Sequence, residues 1–329
     1  MTREESNAIN SLRLTCIIFL VLLHTHVDHL VSSNIVKNIN SVQNLLNAPF
    51  LNILFILSGY LFFYSRQNIS KNEIWLKSVW GGKIKKRCKT LLLPYLIWCV
   101  VALTYNHFMK DTLWPHGGKQ WLMQFWDAGT GHPIGKAMWY LKSLIVFTVL
   151  SPLYYYSVKW LKHIVPIIIL LLFTLKIPID FPWFNVWLLL GAYIAITRVT
   201  LKDITDRVDW RLCLILWIAL KILLYIDIRP FNFSIPMVFF CFIGMLGLFM
   251  RYNIPYALTS VSSFIYFTHP YFTGVRTLYI KMIDKSSLPL SFFVWMLTAV
   301  TVIVVCYCIF GLMKRFTPKI LSIITGDRI

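Results

Sequence analysis

SLRLTCIIFLVLLHTHVDHL, residues 11–30, is an apolar run long enough to begin crossing a bilayer, yet it carries Arg13, His24, His26, Asp28 and His29. An ionisable side chain in hydrocarbon is costly. Such residues face a protein interior or a wet cavity, so they mark candidate functional sites. Eleven residue steps separate Arg13 from His24. At about 100° per residue they return to the same helix face, about 16 Å further along the axis. Asp28, four residues after His24, falls on that face and within reach of the imidazole. A carboxylate that holds one ring nitrogen fixes the tautomer and stabilises the charged form, which suits a general base. His26 and His29 point elsewhere and read as interfacial. The span around this stretch therefore predicts a cation near its start, an imidazole within the membrane and a carboxylate one turn beyond.

Composition sets the class. Of 329 residues, 58% are hydrophobic and only 14% charged, more apolar surface than a soluble domain can cover. The expectation is an all-α integral membrane protein, one membrane-embedded domain over 1–329 with no appended soluble domain. Ten candidate spans follow, at 12–31, 50–65, 90–108, 138–158, 163–177, 182–197, 212–228, 234–250, 256–274 and 290–313. The fifth and sixth are short and flanked by Pro166, Pro178 and Pro182. The net charge of +19 would suggest nucleic acid in a soluble chain. Here most Lys and Arg fall in alternate loops on the side of the N-terminus, which predicts an N-in, C-in orientation and no nucleic-acid partner. The seven cysteines form no CxxC pair and no disulfide framework, so they read as packing residues, and no metal is expected. The first run has no small-residue cleavage site after it and reads as a retained helix.

Four other stretches carry chemistry-bearing residues. NILFILSGYLFFYS, 52–65, places Ser58 and Gly59 in an aromatic apolar segment, where small residues ordinarily serve close helix packing. The basic loop 66–89 ends in Lys83, Lys85, Lys86, Arg87 and Lys89, just before TLLLPYLIW. This is either a plain cytoplasmic flank or a phosphate-binding cluster. MWYLKSLIVFTVLSPL, 138–153, holds Trp139 and sets Lys142 about one turn inside a span. SSFIYFTHPYF, 262–272, puts His269 toward a span end, ordinarily an interfacial position. The outer loop 109–137 adds Trp114, His116, Trp121, Trp126 and His132, whose rings suit either a membrane interface or a sugar face.

Taken in order, Arg13-x10-His24, the Phe55/Ser58/Gly59/Tyr60 run, Arg87 before Leu91/Pro94/Tyr95, Trp139-Tyr140-Leu141-Lys142 with Ser151-Pro152, and Ile265-Tyr266-x-x-His269-Pro270 resemble the membrane-bound acyltransferase-3 family of bacterial O-acyltransferases. The resemblance covers essentially the whole chain. It implies about ten membrane helices in the bacterial cytoplasmic membrane. It also implies transfer of an acyl group, often acetyl from cytosolic acetyl-CoA or another short acyl-CoA, to hydroxyls of surface glycans or their lipid-linked precursors. Carried over, it makes Arg13 and His24 the essential pair and sets Arg87, with Lys83, Lys86 and Lys89 beside it, against the donor. The charge and spacing of the first span add Arg13 to the donor contacts and Asp28 to orient the imidazole. The family's R-x-x-R is incomplete here, since lysines surround Arg87 instead. Ser58, Trp139, Lys142 and His269 are the candidates for placing the acceptor or stabilising the oxyanion. A base mechanism and a transient acyl-histidine are both open, as is oligomerisation. The rival class is a transporter or flippase of a glycan-linked lipid or small envelope metabolite. Intramembrane charge and broken helices fit that class too, but it lacks support from an inverted repeat. A non-catalytic scaffold leaves the Arg13–His24–Asp28 alignment unexplained.

Overall fold

The computed structural model describes residues 1–25, 42, 49–64, 77–110, 112–127, 133–168, 184–225, 234–282 and 288–327. Among these residues the chain is helical, with no strand. The helices are α1 (Arg3–His24), α2 (Phe50–Tyr64), α3 (Lys77–Arg87), a π-helical turn Cys88–Leu92, α4 (Leu93–Lys110), α5 (Gly118–Trp126), α6 (Trp139–Leu161), α7 (Phe184–Ile196) and α8 (Leu201–Arg207). Then come α9 (Trp210–Tyr225), α10 (Ser234–Arg251), α11 (Tyr256–Thr259), α12 (Ser262–Phe272), α13 (Val275–Ile280), α14 (Leu288–Phe316) and α15 (Pro318–Thr325). Four helical runs among the described residues are long and apolar enough to cross a membrane: Arg3–His24, Gly81–Met109, Trp139–Leu161 and Pro289–Phe316. Shorter apolar helices cover Phe50–Tyr64, Val186–Ile196 and Ile235–Arg251.

Two expected spans and one expected loop differ from the observed helices. The first starts at Arg3 rather than near residue 12, because Thr2 and Glu5 form a capping box. Glu5 N donates to Thr2 Oγ1 at 3.1 Å and Thr2 N donates to a Glu5 carboxylate oxygen at 2.8 Å. That T-x-x-E signature is legible in the sequence and satisfies otherwise orphaned N–H groups. The basic stretch expected as part of a loop is helical from Lys77 and runs through the π turn into α4. Its lysines and arginine are good helix formers, and the helix carries Gly81 and Gly82 within it without a break. The expected span 256–274 is not one helix. It breaks between α11 and α12, where Thr259 and Ser260 hydroxyls bond carbonyls three residues back, at 3.3 and 3.2 Å. Such local bonds compete with the helical ladder. The expected 163–177 span lies largely outside the described residues.

The chain divides into two compact units. The first comprises Met1–Asn68, Leu153–Ser262 and Tyr271–Val305. Its tightest crossing sets α2 on α7. A Cβ on Gly59 would collide with Leu188 O, and one on Gly191 with Ile56 O. The two glycines therefore let the backbones touch, the small-residue packing common between membrane helices. In the same way α10 closes on α9, with Gly244 against Leu214 and Gly247 against Trp210. Helix α1 packs on α2, α10 and α11. Phe19 stacks on Phe50 with centroids 3.9 Å apart, and Ile254 N donates to Ser11 Oγ at 2.8 Å.

The second unit comprises Ile69–Pro152, Ser263–Pro270 and Cys306–Ile329. Its α4 packs on α5 and α15. Trp98 Nε1 donates to Ile324 O at 2.9 Å, and Trp98 stacks on Phe267 at 5.6 Å. Gly326, at φ +68°, ends α15 in the left-handed conformation that glycine adopts at little cost. It lies directly against the carbonyl of Thr90 in the π turn.

Candidate active site

In the first unit the unbroken α1 carries both Arg13 and His24. On this helix the line Arg13, Ile17, Leu20, His24 is a single stripe. Ile17 and Leu20 are buried, at 4% and 8% exposure, so the stripe faces protein. Arg13 and His24, at its two ends, are each half-buried. The two polar ends therefore remain partly accessible. His24 is also the last residue of α1. Thr25 caps the helix, its N–H donating to Val21 O at 3.0 Å. The helical spacing expected to bring Asp28 under His24 thus runs past the end of α1. Asp28, with His26 and His29, lies outside the described residues.

Ser58 is half-buried on α2, and its hydroxyl donates to Leu54 O at 2.7 Å within the same helix. Its neighbour Gly59 makes the α2–α7 crossing. For Gly59 the packing role is visible in that crossing.

The second unit holds the basic cluster. Lys83 and Arg87, one turn apart on α3, are half-buried, whereas Lys85, Lys86 and Lys89 are exposed. One face of the basic helix thus turns inward and the other offers charge to water. The π-helical turn Cys88–Leu92 follows Arg87 at once. Such turns are rare and often occur at functional sites.

The W-Y-L-K and I-Y-x-x-H-P segments meet in this unit. The ring of Tyr140 lies edge-on to that of Tyr266 at 5.6 Å, and Tyr266 OH donates to Ala137 O. The His269 ring is 6.5 Å from Tyr266. His269 is completely buried rather than interfacial. Its Nδ1 is 3.0 Å from Ile265 O. A carbonyl only accepts, so Nδ1 carries the proton, and in the neutral ring Nε2 presents a lone pair.

Trp139 is half-buried at the start of α6. One turn on, Lys142 Nζ donates to Trp126 O at 2.7 Å and stands 4.6 Å from the centroid of the Trp126 ring. Tyr95 OH donates to the adjacent Phe125 O. The carbonyls that end α5 are thereby held from α4 and from α6, a cation at a helix C-terminus among them.

Sequence reasoning did not single out Trp295, Tyr140 with Tyr266, Gly191 or Gly326. Tyr140 and Tyr266 stood inside the quoted motifs. Gly191 carries the signal of a lone glycine in an apolar helix, while the partner of Trp295 is set only by tertiary packing.

Residues 6–311 match the model of a known protein family described as an acyltransferase domain. No curated protein and no solved structure matches the chain. With nearly its whole length matched and its long apolar helices in place, the chain belongs to the acyltransferase-3 family and is a membrane acyltransferase.

Proposed function

We propose that this acyltransferase moves an acetyl or other short acyl group from cytosolic acyl-CoA to a hydroxyl of a cell-surface glycan or its lipid-linked precursor, in the bacterial cytoplasmic membrane. The observation that carries the reading is the stripe on α1: a half-buried guanidinium and a half-buried imidazole on one protein-facing line of a continuous helix. In this scheme charge-assisted hydrogen bonds hold the donor's phosphates, with Arg13 the candidate in the first unit and Lys83, Lys86, Arg87 and Lys89 the candidates in the second. The pantetheine arm extends along the line toward His24.

His24 accepts the proton of the acceptor hydroxyl as its oxygen bonds to the thioester carbon, and Asp28 is the candidate for orienting its ring. The carbon–sulfur bond then breaks, and the coenzyme thiolate recovers the proton from the imidazolium. No net charge is created and no oxidant is needed. A well-placed base contributes about 10²–10⁴-fold. Ser58, Trp139, Lys142 and His269 supply candidates for holding the acceptor or the developing oxyanion.

Mass spectrometry of envelope glycans from cells with and without the gene tests the reading. An ester mass lost on deletion, and restored by the wild-type gene but not by His24→Ala, supports it. Identical ester profiles in all strains would refute it.

A further inference from the structure

We infer that Trp295, on α14, is a positioning residue for His24, an inference that rests on the catalytic reading of His24 given above. The last four carbonyls of an α-helix have no partner within it. In a membrane-embedded fold water is scarce, and each such carbonyl needs a donor from elsewhere in the protein. Leu22, two residues before His24, has this problem. Its carbonyl accepts from Trp295 Nε1 at 2.9 Å and from Thr25 Oγ1 at 3.2 Å. Trp295 and Thr25 are both fully buried.

The indole is donor-only and has just two side-chain torsions. Phe292 packs edge-on against it, with centroids 5.4 Å apart. It is therefore a rigid strut, reaching from α14 to the terminal turn of α1. With Val21 O held by Thr25 N at 3.0 Å, consecutive carbonyls just ahead of His24 are tied down. This fixes the backbone from which the imidazole projects. An apolar residue of similar size would fill the same space but leave the carbonyl to Thr25 Oγ1 alone. A base displaced by about 1 Å can lose about 10²-fold in rate, so the strut bears on turnover and not on donor affinity.

The test uses the purified full chain with radiolabelled acetyl-CoA and, as acceptor, an envelope extract from cells lacking the gene. Trp295→Phe keeps an aromatic ring, a smaller one, and removes the donor. The expected result is a kcat lowered about tenfold or more, an unchanged KM for acetyl-CoA and a monodisperse, folded protein. Thr25→Val lowers kcat less, and the double variant falls further than the product of the two, because each donor backs up the other on one carbonyl. Trp187→Phe, the same change at a fully buried tryptophan of α7, serves as the packing control and is expected to keep its kcat. Equal losses in the two Trp→Phe variants, or a Trp295→Phe enzyme with wild-type kcat while His24→Ala is inactive, would overturn the inference and leave the function standing. An active His24→Ala would instead remove the reading on which it rests.

Discussion

Gly59 and Gly191 face each other's helices where α2 crosses α7: a Cβ on either would enter the partner backbone, at Leu188 O or at Ile56 O. Neither obstacle is a flexible side-chain end that could swing away, so the helices themselves must part. Gly59→Ala and Gly191→Ala should each destabilise the protein by about 1–3 kcal/mol, the ordinary cost of overpacking. Ser58→Ala, which removes a hydroxyl bonded within its own helix, should cost less than either. Thermal unfolding in detergent checks the order. A Gly59→Ala protein as stable as wild type would mean that the crossing is looser than described.

α15 backs the π turn after Arg87 through Gly326 against Thr90 O, and the adjoining α4 through Trp98 Nε1 on Ile324 O. Gly326→Ala adds a Cβ at a left-handed residue and at a closed contact, so it should lift α15 off the turn. If Arg87 and Lys89 bind the donor, loss of about 1 kcal/mol of docking should raise KM for acetyl-CoA roughly fivefold and leave kcat close to normal. An unchanged KM would detach donor binding from this turn.

Lys142 holds the C-terminal end of α5 through Trp126 O and the Trp126 ring. Lys142→Met keeps length and loses both interactions. Amides of residues 118–126 should then exchange with deuterium about tenfold faster, equivalent to roughly 1.4 kcal/mol of local opening. Equal exchange in wild type and variant would reassign Lys142 from strut to free cavity residue.

Asp203 caps α8. Thr200 N donates to its carboxylate at 3.0 Å, and Asp203 N donates to Thr200 Oγ1 at 3.0 Å. Hydrogen bonds from Thr200, side chain first and backbone second, hold the Asp203 carboxyl below its usual pKa. A depressed native pKa stabilises the helix at pH values above the unfolded value of about 3.9, and the effect fades as pH falls through the native pKa. Exchange protection of α8, corrected for intrinsic rates, should be level from pH 7 to about 5 and decline below about 4. Asp203→Ala should flatten that dependence. A decline equally steep in the variant would place its origin elsewhere.

Much of this was written in the chain. The Arg13–His24 register needs only helix geometry, and α1 does run unbroken between them. The long apolar run that ends α14 at Phe316 and the aromatic α2 follow from hydropathy. The extent of α1 was half legible: Thr2 and Glu5 announced its start, but its end at His24 depends on a cap and on a donor from α14. Nothing local distinguishes Thr25 as a terminus. His269 shows the same limit. Its place toward a span end suggested an interface, whereas complete burial comes from the packing of α12. The Tyr140–Tyr266 contact joins segments more than a hundred residues apart, which periodicity cannot see.

The central claim is that His24 takes the proton in acyl transfer while Arg13 holds the donor. The most direct measurement is single-turnover transfer of labelled acetyl from acetyl-CoA by purified wild-type, His24→Ala and Arg13→Ala proteins, with acetyl-CoA binding measured in parallel. The account predicts that His24→Ala binds acetyl-CoA normally and transfers at least about 10²-fold more slowly, whereas Arg13→Ala chiefly loses donor affinity. Transfer by His24→Ala at the wild-type rate would contradict it.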